Sequence, residues 1–343
     1  MTNVTPAFLA ACKREPVPHT PIWVMRQAGR YLPEYRAVRE RVDFQTLTKT
    51  PDLAAEVTLQ PIRRFGMDAA ILFSDIMTPV EGMGVDIEFA PGPVIADPIR
   101  SAAAVDKLRV PDPKESVPFV LETVEILARE LPDNVPLIGF AGAPFTLFCY
   151  LVEGKGTKTF TEARAFLYRE PEAASKLLDL LAETMGEYLL KQAEAGARAL
   201  MVFDSWAGLL SPRMYDRFAR PAVDKVLNVL KQLDDVPLIY FPNGGATIIP
   251  SLANLEADVV ALDWRVSLSW ARQVLGDVAV QGNLDPAALF ATRDELAQEI
   301  DNVLEDAGSG TGHIFNLGHG IERTTDPDAV AFLVDRVHER TAR

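Results

Sequence analysis

Eight short apolar runs, at residues 22–25, 69–73, 137–140, 199–203, 238–241, 259–262, 278–280 and 313–315, recur along the chain and limit what it can fold into. Each is nearly continuous rather than alternating, as parallel strands buried on both faces require. Amphipathic stretches lie between them and carry helix start signals. Thr50-Pro51-Asp52 opens one that reaches Phe65, with Gly66 to close it, and Ser211-Pro212, Asp285-Pro286 and Asp326-Pro327 repeat the pairing of a capping residue with a first-turn proline. A long helix is predicted over 172–194. Strand alternating with helix about eight times predicts an α/β fold, a single (β/α)8 TIM-type barrel spanning residues 1–343. A doubly wound open sheet is the alternative that the same alternation permits. One stretch departs from the pattern: residues 85–89 alternate, Pro91-Gly92 turns and Val94-Ile95 returns, so a β-hairpin insertion is expected after the second strand. The proline-rich stretch 111–118 is read as a loop.

Composition narrows the function classes. With 34 basic and 48 acidic residues the net charge is −14, which disfavours nucleic acid and anionic membrane surfaces as partners. An anionic ligand would have to be held by local arginines against that field. The two cysteines, Cys12 and Cys149, have no metal-type spacing, and no stretch reads as a signal peptide or a membrane span; a cytoplasmic enzyme is the expectation.

In a barrel, residues just past each strand collect at the catalytic face. Here those positions hold Arg26 and Arg30, then Ser74 and Asp75, Gly142-Ala143-Pro144, Asp204-Ser205-Trp206 and Asn243-Gly244-Gly245. Asp263-Trp264-Arg265, Asn283 with Asp285, and Asn316 with His319 complete the ring. Arg26 and Arg30, separated by a loop with no core-sized side chain, form a candidate fork for carboxylate or phosphate. Each position also has an ordinary reading, Asp75 as a helix cap and 243–245 as a turn. No metal site is expected: there is no HExxH or CxxC, and the four histidines are scattered along the chain. The glycines at 308–312 follow a helix and precede a strand, the reverse of a dinucleotide fingerprint, and 154–156 lacks P-loop spacing. From the residues alone, the chain reads as a barrel enzyme, without cofactor, that binds an acidic molecule through arginines beside an isolated carboxylate.

At these positions the sequence resembles the uroporphyrinogen decarboxylase family. WVMRQAGRYLPEYR at 23–36 is similar to the family's first signature and GFAGAPFTL at 139–147, with Tyr150 and Glu153-Gly154, to its second; FSDI at 73–76, QGNLDP at 281–286 and NLGHGI at 316–321 are further matches. The resemblance implies a distorted (β/α)8 barrel, usually a homodimer. It implies a carboxy-lyase that converts uroporphyrinogen III to coproporphyrinogen III by turning four acetate side chains into methyls, with no cofactor. It places Arg26, Gln27, Ala28, Gly29 and Arg30 on a substrate-binding loop, Asp75 at the pyrrole nitrogens, and Tyr150, Ser205 and His319 at further substrate contacts. Catalysis would fall to Asp75, Arg26 and Arg30. Lys155 and Asn243 depart from the family's pattern, which puts carboxylate contacts on those rim loops in question. Two other readings stand beside it: a non-catalytic tetrapyrrole carrier, and a zinc- and corrinoid-dependent methyltransferase, for which the chain offers no late cysteine.

Overall fold

In the computed structural model, which describes residues 5–89 and 92–343, seven of the eight apolar runs pair as parallel strands. They are β1 (Ala70–Ile71), β4 (Leu137–Gly142), β5 (Ala199–Asp204), β6 (Leu238–Pro242), β7 (Val259–Ala261), β8 (Ala279–Gln281) and β9 (His313–Ile314); β2 (Ile87–Phe89) and β3 (Pro93–Ile95) pair separately. Each strand bonds to the one before it in this series, as in Ala70 opposite Leu137, Leu200 opposite Leu238 and Val280 opposite His313. The result is a curled parallel sheet with helices between its strands. Every residue of β4, β6 and β7 is buried, which is why these runs carry no alternation.

The first run forms no strand. Ile22 makes an isolated parallel bridge to Phe315 beside β9, and on the other side a single backbone bond joins Asp68 N–H to the Ile22 carbonyl at 2.9 Å. Beyond it the backbone N–H groups go to side chains, Val24 to Gln27 Oε1 and Met25 to Asn316 Oδ1, and the chain then turns at Arg26, whose φ is +63°. The run is still core: Ile22, Trp23 and Val24 are fully buried, and the Trp23 indole donates to Gln281 Oε1 at 2.9 Å.

Most predicted helices are present, with two physical departures. Residues 246–252 between β6 and β7 form a 3-10 helix, Ala246–Leu252, with Pro250 inside it, and a proline cannot supply the N–H that an α-helix needs there. Residues 111–118 are not a plain loop: Asp112 caps a single turn, Pro113–Ser116, before the helix Pro118–Glu130 begins. Among the start signals, Ser211 accepts from Met214 N–H and Asp326 from Asp328 N–H, whereas the Thr50 hydroxyl turns back to the Thr46 carbonyl. Asp285 caps a 3-10 helix, Pro286–Phe290. Gly66 ends the helix Pro51–Phe65 with φ +66°, a left-handed position that a side chain would strain. The long helix runs Pro171–Ala195. The expected antiparallel pairing appears as Ile87 opposite Ile95; the turn residue Pro91 lies outside the described residues.

Candidate active site

A cavity of about 520 Å³ opens where the strands of the sheet end. Five of the apolar runs close on a phenylalanine, and the rings of four of them, Phe73, Phe140, Phe203 and Phe241, line this cavity. Phe203 meets Phe140 and Phe241 edge-on, with centroids 5.6 and 6.1 Å apart. The wall is therefore a rigid aromatic floor on which a few polar groups are mounted. An apolar run read from sequence assigns these rings to the core. Their place as the last residue of a run does not set them apart, because Phe315 holds the same place and is fully buried.

The polar groups reach the cavity from separate loops. Asp75 follows β1, and its Oδ1 accepts from Met77 N–H at 2.8 Å, which pins the carboxylate at the start of a short turn. Burial raises its pKa above the usual carboxylate value, against the pull of that N–H and of the Arg26 charge. Arg26 and His319 meet because their two loops are stitched together. Met25 N–H donates to Asn316 Oδ1 at 3.0 Å, and Ile321 N–H to the Met25 carbonyl at 2.9 Å. Burial, and then the Arg26 charge, lower the pKa of His319, so the neutral imidazole is favoured. Tyr150, on the helix Pro144–Glu153, is wedged edge-on against Phe160 and Trp206, and burial raises the pKa of its phenol.

Gly320 makes room for the arginine. A Cβ built there would lie 2.5 Å from Arg26 Cδ and 2.8 Å from its Nε, so the stem of Arg26 rests on bare backbone. Behind Ser205 sits Asp204, fully buried, accepting from Thr146 Oγ1 and the Tyr240 hydroxyl at 2.8 Å each. Burial pushes its pKa to about 6. Asn243 also lines the cavity; its amide donates to the Ser205 carbonyl at 3.1 Å and accepts from Arg265 Nη2 at 3.2 Å.

Of the residues singled out from sequence, Arg26, Ala28, Asp75, Tyr150, Ser205 and His319 line the cavity together. Gln27, Gly29 and Arg30 do not. Gln27 is fully buried and works on the loop itself: its Oε1 accepts from Val24 N–H at 3.1 Å and its Nε2 donates to the Ala69 carbonyl at 3.2 Å. The expected fork is thus divided. Both guanidiniums are exposed, but Arg26 is part of the cavity lining and Arg30 is not. Lys155 is exposed and bridges Val94 away from the cavity lining. The histidines are less scattered than their spacing suggested, since His19 and His338 both reach Asp68, at the opposite end of β1 from Asp75.

Residues 4–340 match the family model described as "Uroporphyrinogen decarboxylase (URO-D)". A uroporphyrinogen decarboxylase of Syntrophotalea carbinolica is 51% identical over 335 residues, which is 97% of each chain. One of Geotalea uraniireducens is 50% identical over 331 residues, covering 96% of this chain and 97% of that one. Among solved structures, a methyltransferase from Methanosarcina mazei superposes with a TM-score of 0.83 at 22% identity, covering 98% of this chain and 99% of the other. A B12-independent methionine synthase from Shewanella sp. W3-18-1 superposes at 0.61 with 10% identity, over 88% and 90% of the two chains. At such identities the two structures show a shared fold and nothing more.

Proposed function

Because the chain belongs to the uroporphyrinogen decarboxylase family, we propose that the cavity holds uroporphyrinogen over Asp75 and that this carboxylate carries the chemistry. The enzyme is a carboxy-lyase of tetrapyrrole biosynthesis. The finer assignment is the removal of CO₂ from four acetate side chains of uroporphyrinogen III, leaving methyls.

Loss of CO₂ leaves an electron pair on the former acetate carbon, and the pair needs an acceptor. The substrate can supply it. A proton added to a pyrrole α-carbon makes the ring iminium-like; the bond to the carboxylate breaks, CO₂ departs and the pair moves into the ring. A second proton then completes the methyl, and release of the ring proton restores the pyrrole. The observation that carries this reading is an anchored carboxylate, Asp75, the one Asp or Glu among the residues that line the cavity. Fixed by Met77 N–H and partly stripped of water, it stabilises positive charge as that charge develops on the ring. It can also accept pyrrole N–H bonds from the flexible macrocycle. Arg26, Tyr150, Ser205 and neutral His319 are assigned to substrate contacts around it. Arg26 is the orienting partner for a substrate carboxylate, and a guanidinium is too weak an acid to be the ready proton source. Gln27, Ala28, Gly29 and Arg30 enter this reading as the loop that presents Arg26, with Arg30 at the rim.

The accompanying architecture is a single distorted (β/α)8 barrel over residues 1–343, with 22–25 as a vestigial first strand and the β2–β3 pair as an insertion. It is supported by the Ile22–Phe315 bridge and the Asp68–Ile22 bond on either side of the gap. A cytoplasmic homodimer completes the reading; the two buried, unpaired cysteines accord with a reducing compartment. Among the described residues, no helix is long and apolar enough to cross a membrane.

The test is turnover of anaerobically reduced uroporphyrinogen by wild type and Asp75→Asn, with loss of carboxylates followed by chromatography. Asn keeps an oxygen for Met77 N–H but removes the charge. The expected result is coproporphyrinogen from wild type and a kcat/KM lower by about 100-fold or more in the variant, with an unchanged Tm. Wild-type turnover in Asp75→Asn would remove the carboxylate from the mechanism.

A further inference from the structure

At the opposite end of β1 from Asp75, three side chains from distant parts of the sequence converge. His19 comes from the N-terminal segment, Asp68 from the residues leading into β1, and His338 from the C-terminal helix, Pro327–Thr341. His19 Nε2 lies 2.9 Å from Asp68 Oδ1, and His338 Nε2 lies 2.8 Å from Asp68 Oδ2. The ring centroids are 4.3 Å apart, and the three ligand atoms all fall within 4.8 Å of one another. None of the three lines the cavity described above.

We propose that His19, Asp68 and His338 form a site for a divalent transition metal of the zinc class, which staples the two ends of the chain to the sheet. Two imidazole nitrogens and one carboxylate are a borderline donor set that suits Zn²⁺, Co²⁺ or Ni²⁺ better than Mg²⁺ or Ca²⁺. Around a metal with bonds of about 2.0–2.2 Å, neighbouring ligand atoms stand about 3 Å apart, close to the two N···O separations here. The carboxylate is held from behind, where Ile22 N–H donates to Asp68 Oδ2 at 2.8 Å, the outer support that orients a ligating group. The side chains retain 28%, 13% and 29% of their exposure in the order His19, Asp68, His338, so an ion has an entry path and water can complete its coordination. On ligation each imidazole gives its Nε2 lone pair to the ion and keeps its proton on Nδ1, so the two hydrogen bonds to Asp68 are replaced by metal bonds. A net charge of −14 raises the local concentration of cations.

The test uses the full chain, stripped with chelator and titrated with Zn²⁺ at fixed pH by calorimetry, with Co²⁺ as a spectroscopic probe. The expected result is binding at one ion per chain, a visible Co²⁺ absorption band, and a Tm that rises with added Zn²⁺. His338→Ala, and independently His19→Gln, should weaken binding at least tenfold and abolish the Tm rise, while both leave decarboxylation unchanged without metal. Absence of stoichiometric binding by wild type, or binding that survives in both folded variants, would overturn the site.

Discussion

Gly320 shows how much of this site depends on an atom that is missing. The side chain of Arg26 crosses Gly320 so closely that one added methyl would meet its Cδ and Nε. Arg26 is itself in the left-handed region, with φ +63°, so its backbone has little freedom to answer a push and the side chain must move instead. Gly320→Ala is therefore a test of Arg26 that leaves both its charge and its identity intact. The expected outcome is a rise in KM for uroporphyrinogen of about 10- to 100-fold, the order of one charge-assisted contact of about 1.5–3 kcal/mol, with little change in Tm. Arg30→Ala, at an exposed position outside the cavity lining, should leave KM within about twofold, in line with the small effects of substitutions at exposed sites. Equal effects of the two substitutions would contradict the division of the arginine pair.

Between elements, Asp204 is the junction. From the end of β5 it accepts from Thr146 on the helix Pro144–Glu153 and from Tyr240 on β6, whose hydroxyl in turn accepts from Tyr215 at 3.0 Å. Burial is the largest influence on its carboxyl and outweighs both hydrogen bonds, raising the pKa from 3.8 to about 6. The folded chain thus holds a proton that the unfolded chain releases between about pH 4 and 6. Stability from this group is complete below the unfolded value and is lost as pH rises through the folded one. Two pH units correspond to on the order of 3 kcal/mol. Urea unfolding across pH 4–7 should show wild type losing about that much relative to Asp204→Asn, which cannot ionise; parallel curves would mean that the buried carboxyl does not titrate there. This junction also shows what the sequence could and could not reveal. The strand ends were legible because buried parallel strands need unbroken apolar runs, and the positions beyond them gave Asp75, Ser205 and His319. The first strand misled, since Ile22 to Met25 are as apolar as any of the others; what separates them is the left-handed turn at Arg26, which composition does not announce. The aromatic floor was hidden for a related reason. A phenylalanine that ends a run reads the same whether it faces the core or a cavity, and Phe315 at the end of the last run is indeed fully buried.

For the whole molecule, charge poses the sharper question. A polycarboxylated substrate approaches a chain of net charge −14, while the favourable contacts assigned to it are confined to a few cavity groups such as Arg26. The neighbouring Arg265 is already neutralised, its Nε bonded to Asp263 Oδ1 at 2.7 Å. Repulsion from the whole protein acts over the screening length, about 30 Å at 10 mM salt and about 8 Å at 150 mM. Contact with Arg26 acts at hydrogen-bond range, well inside the screening length at either salt concentration, so salt weakens it less. The two effects therefore separate on a salt titration. The association rate of uroporphyrin, the oxidised, fluorescent macrocycle that keeps the carboxylates of the substrate, followed by stopped-flow fluorescence, should rise about threefold or more between 10 and 150 mM salt as the repulsion is screened. Its dissociation rate, governed by the short contacts, should change much less. A rate of association that falls with salt would mean that the cavity mouth presents a positive field strong enough to reverse the protein's overall charge, and that the substrate is steered in as well as held.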